Sequence, residues 1–167
     1  MPKGIKETSG LIAVSASVTE SAANTFTSAT VDLQLDPLNN EVFVVYAIDL
    51  DLEEGDNIDG VDTILRGSLS STARTSVGSI ADSNVMAMER INVNNQTTNS
   101  VVQTFSSETH PATQLEYLGI LATNDFHLNI VGANQGAAKT MNARVYGARG
   151  RADSSIYAAL VQSELLS

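Results

Sequence analysis

The sequence predicts an all-β protein, an antiparallel β-sandwich followed by one short C-terminal helix. Three observations predict it. Apolar and polar residues alternate with a period of two from residue 11 to about residue 149. The connections between these runs are rich in Ser, Thr and Asn. The period changes only in the last fifteen residues or so.

Taken in order, the first run is "LIAVSASV" (11–18). In "ATVDLQLDP" the odd positions Ala29, Val31, Leu33 and Leu35 are apolar until Asp36-Pro37 ends the run. "EVFVVYAIDLDL" (41–52) extends the pattern in a more buried form. Its even positions from Val42 to Leu52 read as one core face, while Phe43, Val45 and Ala47 give way to Asp49, Asp51 and Glu53 on the other. Further runs are 63–72, 84–94, 100–106, 114–122, 125–133 and 140–149, which makes about nine strands. "NQGAAK" between the last two reads as a hairpin turn, with Gly136 supplying a positive φ. In "ADSSIYAALVQSELLS" Asp153 or Ser154 is placed to cap a helix whose Ile156, Leu160 and Val161 need a surface to cover. That surface is either the chain's own sheet or a neighbouring subunit.

The length of 167 residues suits one domain with an adequate core, and the absence of Cys excludes disulfides and thiolate metal sites. Lys3, Lys6 and the apolar stretch after them imitate a signal peptide, but Glu7 and several serines interrupt it, so export by that route is not expected. The net charge of −10 lies wholly in residues 1–62, which hold twelve acids against two lysines. Such a surface repels nucleic acid, so direct nucleic-acid binding is not expected.

Seven of those acids fall in "AIDLDLEEGDNIDGVD" (47–62). Asp49, Asp51 and Glu53 resemble the start of a calcium loop, but Glu54 stands where such a loop requires Gly, and Gly60 where it requires the final acid. A looser calcium site would draw on Asp49, Asp51, Asp56, Asp59 and Asp62, and calcium is the one cofactor the sequence suggests. The alternative is a solvated strand edge leading into a polar loop. A glycosidase pair lacks an apolar pocket and sugar-stacking Trp. His110 and His127 have no metal-ligand spacing and read as structural. No nucleophile elbow, phosphate loop or dinucleotide fingerprint occurs, so no catalytic residue is assigned and the chain reads as non-enzymatic. Asn95-Gln96-Thr97 matches a glycosylation sequon, read as chance.

Lys139, Arg144, Arg149 and Arg151 gather late in the chain. If copies pack side by side, these cations can meet the acids of a neighbour. Glu53, Glu54, Arg144, Arg149, Arg151, Ile156 and Leu160 are therefore the expected inter-subunit contacts.

About nine strands, a C-terminal hairpin and no catalytic set resemble the single jelly-roll capsid proteins of icosahedral viruses. The segment "MNARVYGARGRADSSIYAALVQSELLS" resembles the closing strand and tail of small structural proteins from aquatic viruses of microbes. The resemblance implies a β-sandwich of jelly-roll type that self-assembles into a homo-oligomeric virion shell. It also implies other virion proteins as partners and assembly in the host cytoplasm. Capsid proteins that wrap their genome often carry a basic N-terminal arm; here that end has only Lys3 and Lys6, which suits a shell over an internal membrane or other proteins. Residues 1–21 are expected as a segment open to exchange with a neighbour, 22–152 as the sandwich and 153–167 as the helical tail. The alternative is a carbohydrate-binding module or a trimeric spike or fibre head.

Overall fold

A computed structural model describes residues 1–110 and 115–167. In chain order its strands are β1 (Ile5–Glu7), β2 (Ile12–Thr19), β3 (Thr27–Asp32), β4 (Glu41–Leu52), β5 (Thr63–Ser70), β6 (Val85–Gln96), β7 (Asn99–Ser106), β8 (Gly119–Leu121), β9 (Asp125–Ala133) and β10 (Thr140–Ala152). One helix follows, α1 (Ser154–Leu165). Sheet A has the order β2-β10-β4-β8, with β1 beside β2 on the same edge of β10, and sheet B the order β3-β9-β5-β6-β7. Every pairing is antiparallel.

The pairs β2 with β10, β3 with β9, β4 with β8 and β5 with β6 nest inside one another along the chain. Rolling such a nested ribbon distributes its strands over two sheets as a jelly roll. The chain is an antiparallel β-sandwich of this type, with β7 added outside β6. Residues 1–21 supply β1 and β2, which pair with β10 of their own chain, so the sandwich begins at Ile5.

The strand expected over 114–122 is confined to Gly119–Leu121, and Gln114 lies outside the described residues. Strands 84–94 and 100–106 lengthen until Gln96 faces Asn99, closing a two-residue turn at Thr97-Thr98. β3 stops at Asp32 because Gln34 takes φ 52, although Leu33 and Leu35 still reach the core. The hairpin expected at "NQGAAK" is corrected: β9 belongs to sheet B and β10 to sheet A, so this link crosses the sandwich. Asn134, at φ 58, makes the reversal there, and Gly136 has no positive φ.

The single-face reading of β4 also needs correction. Ala47 faces Tyr146 while Val45 faces Gly147, so Tyr46 is an extra residue, a β-bulge. Before the bulge Phe43 and Val45 enter the inter-sheet core; after it Ile48 and Leu52 do. Val42 and Val44 turn to the outside of sheet A, where they pack with Ile5, Ala122 and Ala152 beneath Ile156, Tyr157 and Leu160 of α1. Both faces of this end of β4 are dry, which is why its sequence is a nearly unbroken apolar run. A Cβ on Gly147 would lie 2.4 Å from the Val44 carbonyl oxygen and 2.5 Å from the Phe43 ring, so the bulge requires glycine opposite it.

Asp153 caps α1 as expected, its Oδ1 accepting the Ile156 amide at 3.0 Å. That hydrogen bond holds its carboxyl below the usual aspartate range.

Candidate functional site

The acidic stretch follows the bulge, and its side chains part into three groups. Asp49 and Asp51 lie on the outer face of sheet A, opposite Arg144 and Asn142 of β10. With Ser15 and Ser17 of β2 these four line a groove of about 530 Å³. Asn142 Nδ2 donates to Asp51 Oδ2 at 3.2 Å, and Arg144 Nε donates to Ser15 Oγ at 3.3 Å. His110 approaches from the loop after β7, its Nε2 3.1 Å from Asp49 Oδ1. The groove is open, and Asp49 and Asp51 stand one pleat apart, roughly 6.5 to 7 Å along the strand.

The second group fastens the crossover between the sheets. Glu53 Oε2 accepts the Thr140 amide at 2.8 Å. Asp56 Oδ1 accepts from Lys139 Nζ at 2.7 Å and Asp56 Oδ2 from the Gly136 amide at 2.7 Å. Lys139 is only 5% exposed, and Asp56 is the counter-charge beside it. The Lys139 ammonium, then the Gly136 amide, hold the Asp56 carboxyl below its ordinary range. Glu20, equally buried, accepts the amides of Gly132 and Lys139 at 2.7 and 3.0 Å. Glu54 is exposed.

In the third group Asp62 Oδ1 accepts the Asn95 amide at 2.9 Å, and Asp59 borders a hollow with Asn57 and Ser100. Asn95 itself is 8% exposed, with its Nδ2 donating to Asn57 Oδ1 and the Ile58 carbonyl. The sequon nitrogen is thus engaged within the fold, in keeping with a chance match.

Among the described residues no three His, Cys, Asp or Glu side chains come together to hold a metal ion. The residues expected for a looser calcium site, Asp49, Asp51, Asp56, Asp59 and Asp62, are spread over three places. The strand holds the first two apart on one face, and Asp56 and Asp62 are spent on a lysine and on backbone amides.

The expected contact residues divide as well. Arg149 is used inside the chain: Nη1 reaches Glu41 Oε2 at 3.1 Å and the Gln34 carbonyl at 3.1 Å, and Nη2 the Leu33 carbonyl at 2.7 Å. Arg151 donates to Asn39 Oδ1 at 3.1 Å. Ile156 and Leu160 cover the chain's own sheet. Arg144, Glu53 and Glu54 remain at the surface.

His127 is structural, with Nδ1 3.1 Å from Thr30 Oγ1 and Nε2 3.5 Å from Asp125 Oδ1. Sequence reasoning missed Glu164, which is buried; its Oε2 accepts the amides of Ala122 and Thr123 at 2.8 and 3.0 Å and so ties α1 to the end of β8. Its signal was present, since Ile156, Leu160 and Glu164 follow one another at i, i+4 and i+8 on one helical stripe.

No protein-family model matches the chain, and no curated protein matches it.

Proposed function

We propose that the chain is a structural subunit of a virion, a capsid-type protein that self-assembles through lateral contacts between β-sandwiches. The observation that carries this reading is the jelly-roll pairing order, joined to a flank where apolar side chains stay bare. A sandwich of this kind presents flat walls and two lateral flanks, and closed shells form when such flanks repeat a contact symmetrically. The partners in this reading are other copies of the chain and other virion proteins. Genome contact is left to other components, because the first third of the chain carries the whole net charge of −10.

A second reading, a carbohydrate-binding module or spike head, draws on the groove at Asp49 and Asp51, whose carboxylates, amide and guanidinium suit sugar hydroxyls. The two separate in one comparison. Light scattering and negative-stain microscopy of the purified chain are expected to reveal discrete assemblies at some salt concentration. A monomer under every condition, combined with binding on a glycan array, would replace the first reading by the second.

A further inference from the structure

β7 is the barest strand of the sandwich. All eight of its residues are exposed, with Val101, Val102 and Phe105 at 52%, 65% and 43%. It pairs with β6 on one side and forms the outer edge of sheet B. Sheet A ends at the three-residue β8, and among the described residues β7 packs appreciably only against β6.

Exposed edges normally carry charge, Pro or a bulge, because unpaired N–H and C=O groups recruit other strands. Residues 97–106, "TTNSVVQTFS", have no charged residue, no Pro and no Gly. The other edges are better guarded. β1 carries Lys6 and Glu7, β3 ends in Asp32, β8 is short, and β2 turns Ile12, Val14 and Ala16 onto the core.

Charge flanks β7 unequally at its two ends. On the outer face of sheet B, Arg66 and Arg90 stand directly opposite each other, and neither makes an ion pair among the described residues. The Arg90 guanidinium lies 4.5 Å from the Phe105 ring centroid, and its buried Nε has no hydrogen-bond partner among the described residues. Like charges directly across a sheet destabilise it unless a counter-charge is supplied. At the other end of β7, Asp59 borders the hollow shared with Asn99 and Ser100, and Asp62 holds Asn95. Glu89, opposite Ser106, stands across from Gly67 on the core side of β6, and burial pushes its carboxyl up. A second β7 laid antiparallel brings its acidic turn end towards the arginine end of the first, whereas parallel pairing sets like beside like.

We infer that β7 is an interface strand for a second copy of this chain. The two β7 edges pair antiparallel about a two-fold axis, joining the two five-stranded B sheets into one continuous sheet. Because alternate residues of an antiparallel edge offer both N–H and C=O, eight paired residues make about eight backbone hydrogen bonds. The contact is isologous, and an uncharged strand meets itself without repulsion. This inference rests on the reading of the chain as self-assembling.

Sedimentation velocity on the full chain and on the double variant Val102→Lys, Thr104→Lys tests it. The expected result is a two-fold dimer, or larger species built from it, whose dissociation constant rises at least tenfold in the variant. Unchanged assembly of the variant overturns the β7 interface and leaves self-assembly standing. A wild type that is monomeric at every concentration overturns both. A second measurement does not depend on that variant folding. The chain has no cysteine, so single Cys substitutions at positions 100 to 104 in turn, followed by mild oxidation, report proximity across the axis. At least one is expected to give a covalent dimer, while Ser28→Cys on the opposite edge gives none. Failure of all five overturns the interface.

Discussion

Two flanks of the molecule use the same material differently. At one end of sheet A, β4 is closed on both faces: Phe43 and Val45 meet the inter-sheet core, and Val42 and Val44 meet α1. At the far edge of sheet B, β7 is open on both faces and along its free edge. β4 holds valines inside the chain; β7 holds Val101, Val102 and Phe105 out to solvent. A helix tethered by one buried carboxylate accounts for the first. Nothing comparable covers the second among the described residues, which is why β7 is where a neighbour is expected.

The contrast breaks most severely at the bulge. Gly147→Val places its side chain against the Val44 carbonyl and the Phe43 ring, and is expected to abolish soluble folded protein, read as lost near-UV signal and cooperative unfolding. Phe43→Ala opens a cavity in the main core and costs about 3–5 kcal/mol in chemical denaturation. Glu164→Ala strands two amides at the end of β8 and costs roughly 2 kcal/mol. In that variant, faster amide exchange confined to α1 and 120–123 would show that the carboxylate acts as a tether. Asp56→Asn removes the counter-charge of buried Lys139. Because the folded carboxyl titrates below its ordinary value, the stability it adds is complete above the usual aspartate range and fades as pH falls through the lowered value. The gap in Tm between wild type and Asp56→Asn is therefore widest near neutrality and shrinks below about pH 4. Smallest of all is Val102→Lys, expected within about 0.5 kcal/mol of wild type, since the side chain touches little in the single chain.

Much of this architecture was legible as alternation. Each of the nine period-two runs holds a strand, although 114–122 keeps only Gly119–Leu121 and the short β1 lies outside them, and Asp153 caps the helix as expected. What the runs could not reveal was where alternation slips. Tyr46 carries no local mark of a bulge; only the pairing of Gly147 opposite Val45 creates it. "NQGAAK" has the composition of a hairpin turn, but whether the next strand joins the same sheet is decided by β2 and β4, which flank β10 from far away in the chain. The carboxylates of 47–62 looked like one site because they are close in sequence. A strand pleat, a buried lysine and two turns sent them to different tasks. Glu164 escaped notice because an acid in an apolar stripe reads as surface until the amides it accepts are in view.

Hydrogen exchange of the full chain at low and high protein concentration compares the two flanks directly. The expected result is protection of amides 99–106 that rises with concentration, while 42–45 and 156–164 stay equally protected throughout. Amides 99–106 that exchange freely at every concentration, with concentration-dependent protection appearing instead under α1, would contradict the assignment of β7 as the open flank.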